Sequence, residues 1–534
     1  MAASVQVRDM GGVYPVGAGA GRLRHGDVEP RLSAPAVASI AGVVREPLVR
    51  GAELGIGVVI ACVLVGPAVV AGGLAGSAGA EVYGHAWVQS WAAAGWPGWP
   101  SGTALASGTT AWPVIDPLPT WILGGLARGI GATAAWNLWA FVGVVLAAVG
   151  GGAFARALGG YGIVGAVGVA TMPIFLGSLT SGLTEDYALG LVALALAALL
   201  TGRRLLGAAL LGGSAWCGLY LAWLGAWPAL AIGLRHLRDR PLRWILAGLL
   251  AIGIAAPAAA PFRGRLGGEG HRGGTVPARA EPLWALDPWR GADLASFGAP
   301  GKVDVGGAFV REHPVYLGYT TLALAAAGGF HPAWLGVLAC AAVAPGEHLS
   351  WAGQPLGVDN PALAAFRVLP FAARFNHHAR VMLLGQLLLV GLAARGARRL
   401  GDRFGGGFGV GGAVAPVGIA LVLFAETAVV SPARVPLPVA LDASPAIYAA
   451  LTAFPKDLPV AVVGASGPGI HPQKVFFDQR AHGRRLLHNP NKPMDGRPGP
   501  GVIVVALGPA VARVTAERGA PDVVAVDGAA WGVE

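Results

Sequence analysis

Glu81, His85, Trp87 and Trp91 fall within the stretch Glu81-Val82-Tyr83-Gly84-His85-Ala86-Trp87-Val88-Gln89-Ser90-Trp91, directly after the first long apolar run of the chain. A carboxylate within reach of a hydroxyl can take its proton as general base. The imidazole four residues on can orient that carboxylate or touch an anion, and the indoles can stack on a ring or set the depth of a helix at a membrane surface. Ionisable groups beside a membrane helix are costly, which makes them functional candidates. The alternative is structural: Trp and Tyr gather at interfaces as anchors, and a carboxylate there is often only solvated.

Two further clusters bear on chemistry. Glu185-Asp186 offers hard oxygen ligands for a divalent cation, although adjacent acids at a helix start also serve as partners of the helix dipole. Arg374, His377, His378 and Arg380 gather at the start of an apolar run, where Arg and protonated His suit anionic oxygens such as phosphate; interface anchoring is the competing reading. Other chemistries find little support. Gly405-Gly406-Gly407-Phe408-Gly409 neither follows a strand nor carries a P-loop lysine, and no serine–histidine triad is legible. Cys62, Cys217 and Cys340 stand far apart inside apolar runs, as packing residues without disulfide or metal-type spacing.

The elements that must position these residues are membrane helices. Hydrophobic residues make up 54% of the chain and charged ones 12%, about half the charged share of a soluble domain. The formal charge of +10 comes from arginines clustered between apolar runs, which read as orientation signals and not as a nucleic-acid surface. Residues 1–50 read as a flexible cytoplasmic tail. Leu54 to Ala78 is long enough to span a bilayer and reads as an uncleaved signal anchor, so that Glu81 emerges outside the cytoplasm. Further apolar runs bring the expected total to about eleven segments within residues 51–430, with large external loops at 78–132 and 263–314. Within the first loop, residues 92–120 read as irregular and Pro117–Ile130 as a short amphipathic or re-entrant helix. Arg156, Arg203-Arg204, Arg235 to Arg243 and Arg395 to Arg403 then share one side, the positive-inside pattern.

After Val430 the character changes. Pro432, Pro436 and Pro438 mark a linker, and β-branched runs at Leu458–Val463, Val502–Leu507 and Asp522–Asp527 read as strands, with helices at Pro445–Phe454 and Pro509–Arg518. Residues 431–534 are therefore expected to form a small extracytoplasmic α/β cap.

The order of these features resembles the GT-C superfamily of membrane glycosyltransferases that use polyprenyl-phosphate-linked sugars, in its largely uncharacterised bacterial branch. The resemblance rests on Glu81 followed by His85-Ala86-Trp87, on Asp116-Pro117-Leu118-Pro119 leading into a helix, on Ala135-Trp136-Asn137-Leu138, on Ala292 to Pro300, on Tyr316-Leu317-Gly318, on Phe366 to Arg380, and on Phe477-Asp478-Gln479-Arg480-Ala481-His482-Gly483. It covers the chain from about residue 50 onward. Glu81 stands where such proteins usually carry Asp, and the first loop has no Asp-x-Asp pair.

The resemblance implies an enzyme of a bacterial-type inner membrane, N-terminus cytoplasmic. Glu81 would be the general base and His85 its neighbour in catalysis. Trp87, Glu185, Asp186, Arg374, His377, His378, Arg380, Gln479 and His482 would bind substrates. The donor would be a lipid-linked sugar, and the acceptor a glycan, lipid or protein. No cofactor is assigned, and a divalent metal is left open. A transporter or flippase of lipid-linked sugars, and a non-catalytic envelope-assembly protein of the same fold, are the competing expectations; neither an internal repeat nor a midplane acid cluster favours the first.

Overall fold

The structure is a computed structural model that describes residues 34–98, 116–236, 240–260, 316–346, 348–351, 354–369, 372, 378–404, 411–431, 433, 435–442, 448, 451–463, 473–487, 503–507 and 523–526. Met1–Leu48 and Val49–Glu534 are separate units, and apart from the beginning of α1 everything below concerns the second. It is mostly helical. α1 (Ala34–Val70) already begins at Ala34, so residues 34–50 are helical where the sequence suggested the end of a tail.

Five helical segments among the described residues are long and apolar enough to cross a membrane: Val49–Val70, Ala132–Ala157, Gly162–Ser181, Pro241–Ala259 and His378–Arg403. Ala333–Val343 and Val414–Val429 are shorter apolar helices. That is the composition of an α-helical membrane protein. Two of the other expected runs, Leu183–Leu200 and Leu205–Cys217, the latter read as half of a short pair with Leu219–Leu234, contain the helices Leu189–Leu200 and Arg204–Ser214, of 12 and 11 residues. At 1.5 Å per residue these fall short of the ~30 Å hydrocarbon core.

α2 (Val82–Gly95) and α3 (Pro117–Ile130) follow α1. α2 is a new helix where only an exit from the bilayer was expected, and it is buried along most of its length. α4 (Ala132–Ala157) packs against α5 (Gly162–Ala170) and α7 (Leu189–Leu200), with α6 (Pro173–Ser181) between those two. Glycine permits the close approach. A Cβ on Gly150 would lie 2.3 Å from the Gly190 carbonyl oxygen, and one on Gly151 would lie 2.5 Å from that of Gly165. Small residues that let backbones meet are the usual means of helix association in membranes.

α5 and α6 form one apolar segment broken before Pro173. The Ile174 N–H donates to Gln386 Oε1 at 3.2 Å, and Gln386 Nε2 donates to the Tyr316 carbonyl at 3.0 Å. Nearby, Glu426 caps the helix Tyr319–Ala327 from outside: its carboxylate accepts the N–H groups of Tyr319 and Thr320 and the Tyr316 hydroxyl. Free N–H groups at a helix start require such partners.

The C-terminal segment is tied to the start of the membrane region. Val439–Ala440 pairs antiparallel with Leu74–Ala75, and the Leu437 N–H donates to the Leu64 carbonyl. Asn137 on α4 clamps the same strand, accepting from Ala75 N and donating to Gly73 O, both at 2.8 Å, while the Trp136 indole donates to Ala75 O at 2.9 Å. Farther on, Val460–Val463, Ile503–Leu507 and Val523–Val526 form one parallel sheet in that order. The expected helix at Pro509–Arg518 and the loop at 263–314 lie outside the described residues. A helix not foreseen as one, Lys474–His482, lies against α2, with Tyr83 on Phe477 and Trp87 on Phe476 at ring separations of 5.4 and 5.3 Å.

Candidate functional site

Glu81 ends the loop after α1, and His85 follows one helical turn later on α2. That spacing puts both on one face: His85 Nε2 lies 3.6 Å from Glu81 Oε2. Behind the ring, His85 Nδ1 lies 3.1 Å from Thr184 Oγ1, and Thr184 in turn donates to Asp116 Oδ2. Asp116 precedes Pro117 at the start of α3; its other oxygen accepts the Thr120 hydroxyl at 2.9 Å. Thr184, Glu185 and Asp186 share a buried 3-10 turn between α6 and α7. Gly182 makes that turn fit. Its φ of +78° suits glycine, and a Cβ there would lie 2.7 Å from the Val82 Cα at the start of α2.

A second arm closes the cluster. Arg380, in the turn His378–Val381 that opens the helix Met382–Phe404, donates from Nη1 to Glu185 Oε1 at 3.0 Å and places Nε 4.0 Å from Asp186 Oδ2. Its guanidinium lies 5.8 Å from the Tyr220 ring. Ser178 donates to Asp186 Oδ2 at 2.8 Å. Glu185 Oε2 and Asp186 Oδ1 are buried and have no hydrogen-bond partner among the described residues. Four carboxylates thus face two cationic side chains. Their access differs sharply: the Glu81 side chain is 38% exposed, whereas Asp116, Glu185 and Asp186 are 4%, 3% and 0% exposed.

Electrostatics follows from this layout. Burial works against charge on His85, but the bond to Glu81 and the fields of Glu185, Glu81 and Asp116 prevail and push the imidazole up to about 9. Burial raises Asp116 to about 6, against the pull of His85 and the hydroxyls of Thr184 and Thr120. Asp186 is also raised by burial, with Arg380 opposing. At neutral pH the cluster therefore holds a charged imidazole beside Glu81.

The structure thus gathers Glu81, His85, Glu185, Asp186 and Arg380, with His378 buried in the same turn as Arg380. Arg374 and His377 lie outside the described residues. The remaining sequence candidates have partners in the joint between α2 and the tail. The Trp87 indole donates to Gln479 Oε1 at 2.7 Å, and Gln479 Nε2 donates to the Arg484 carbonyl at 2.7 Å. His482 stacks near Tyr448 at 5.0 Å and accepts from the Arg484 N–H; burial and Arg484 lower its imidazole to about 4. Among the described residues no three His, Cys, Asp or Glu side chains are grouped to hold a metal ion.

Sequence reasoning missed Asp116 as a site residue, along with Thr184, Ser178 and Tyr220. Asp116 was visible only as an acid before a proline-rich helix start, and nothing in spacing links positions 81, 116 and 184. No protein family, curated protein or solved structure matches the chain.

Proposed function

We propose that this chain is a membrane glycosyltransferase of the GT-C type, moving a sugar from a polyprenyl-phosphate donor to the hydroxyl of a glycan, lipid or protein acceptor outside the cytoplasm. The observation that carries this reading is the difference in access among the clustered acids. Glu81 alone of the four is substantially open, and a charged imidazole backs it.

The chemistry is an inverting displacement. The acceptor oxygen attacks the anomeric carbon as its proton passes to Glu81. The bond from that carbon to the phosphate oxygen breaks, and its electron pair leaves with the lipid phosphate. His85 keeps Glu81 ionised until the acceptor arrives, since an opposite charge favours the carboxylate form. Arg380 supports the leaving group: it is anchored by Glu185, while its Nε lacks a hydrogen-bond partner among the described residues. Glu185 and Asp186 hold that guanidinium in place, and Trp87 with Gln479 fixes α2 against the tail.

A second reading, a flippase for lipid-linked sugars, draws on the broken segment α5–α6, because transporters build their sites from discontinuous helices. One experiment separates the two. The purified protein in liposomes receives a polyprenyl-phosphate sugar labelled in the sugar, with acceptor glycans, lipids or peptides. Transfer yields labelled acceptor and free polyprenyl phosphate. Movement of intact donor between leaflets without bond cleavage refutes the transferase reading and favours the flippase.

A further inference from the structure

The side chain behind His85 is neither a simple acceptor nor a simple donor. Thr184 has one hydroxyl proton and two neighbours, Asp116 Oδ2 and His85 Nδ1. When Asp116 is ionised, the hydroxyl donates to it, so Nδ1 must carry a proton to complete the second bond. Nε2 faces the Glu81 carboxylate and carries one as well. The imidazole is then a cation, held between two acids.

A second arrangement uses the same heavy atoms. If the Nδ1 proton moves to Thr184 Oγ1 while the Thr184 proton moves to Asp116 Oδ2, Asp116 becomes a neutral acid and His85 a neutral ring. Thr184 then donates to Nδ1, and Nε2–H still points at Glu81. Two O–H or N–H bonds break and two form, with no outside reactant. We propose that Asp116 and Thr184 are positioning residues that form a proton relay with His85, passing the ring's Nδ1 proton to the buried Asp116 when Glu81 becomes protonated. Only the relay's use in sugar transfer rests on the reading of Glu81 as base.

Two observations argue for this direction. Asp116 is almost fully buried and has its carboxyl raised to about 6, so it accepts a proton more readily than an ordinary aspartate. Loss of the Glu81 charge also removes part of what keeps a buried imidazole charged. The groups that act on the ring are Glu81 from the start of its own helix, Asp116 from the start of α3, and Glu185 from the turn carrying Thr184. Asp186 and Arg380 stand behind Glu185.

Nitrogen NMR of the full chain in nanodiscs tests the relay without requiring turnover, the His85 signal being isolated by subtracting the spectrum of His85→Gln. The wild type is expected to show both ring nitrogens protonated at pH 7. Glu81→Gln, which imitates the protonated base, should show Nδ1 without its proton. Thr184→Val should lower the ring's midpoint by removing the acceptor of the Nδ1 proton, and Thr184→Ser should restore it. A wild-type ring already neutral at pH 7, or an Nδ1 still protonated at pH 7 in Glu81→Gln, overturns the proposal. The wild-type spectrum decides even if the valine variant does not fold. In the transfer assay, the kcat–pH profile should move with Thr184→Val and return with Thr184→Ser. A coupled ring without any transfer would sink the transferase reading and leave the relay; transfer with an uncoupled ring would do the reverse.

Discussion

Replacing Arg380 with methionine should expose how strongly the buried charges depend on one another. Arg380, Glu185 and Asp186 have side chains no more than 8% exposed, and the guanidinium lies 3.0 Å from one acid and 4.0 Å from the other. At an effective dielectric near 20, a pair of unit charges 4 Å apart is worth ~4 kcal/mol before desolvation. Removing one partner of a buried pair typically costs ~3–5 kcal/mol, because the remaining charge is left without compensation. Arg380→Met should fall in that range. Glu185→Gln in the same chain should return part of the loss, with a coupling of roughly 1–3 kcal/mol. Reversible unfolding in mixed micelles, followed by tryptophan fluorescence on the wild type, both single variants and the double variant, gives the cycle. Losses that add within about 0.5 kcal/mol would mean that the three side chains do not act as one unit.

Asn137→Leu should destabilise the protein by about 1–3 kcal/mol, because Ala75 N and Gly73 O lose their partners; equal melting of the variant and the wild type would contradict the clamp. Trp87→Phe should cost ~1 kcal/mol through the bond to Gln479 and leave the donor KM unchanged, whereas a raised KM at unaltered stability would make Trp87 a substrate contact. His482 should make the tail joint acid-sensitive: its folded imidazole is lowered to about 4 from an ordinary value of 6.5. The unfolded chain then binds the extra proton first, so this contribution is present above pH 6.5 and is lost as pH falls towards 4. The protection factors of the Lys474–His482 amides, corrected for the intrinsic slowing of exchange in acid, should drop as pH falls over that window and lose this dependence in His482→Phe; protection independent of pH in the wild type would refute it.

Much of the helix content was legible because apolar runs of sufficient length have few alternatives in a chain so poor in charge. The β-branched runs near Val460, Ile503 and Val523 likewise declared themselves as strands. Length was harder to read. The Ala/Leu-rich stretches around Leu189 and Arg204 look like crossings by composition, but end after 12 and 11 residues at turns that the sequence marks only weakly. In the site, Glu81 and His85 could be paired from their four-residue spacing, a local relation. Asp116, Thr184 and Arg380 come together through tertiary packing, and a single sequence carries no signal for contacts across 68 and 195 positions. Trp136-Asn137 was noticed only as part of a resemblance; its physical task, fastening the strand after α1, emerged from the bonds it makes.

If Glu81 removes the acceptor proton, steady-state transfer by Glu81→Gln must show it. With the variant inserted and folded as the wild type, kcat should fall by ~10²–10⁴-fold at a donor KM close to normal. Turnover at the wild-type rate, with the same product, would contradict it.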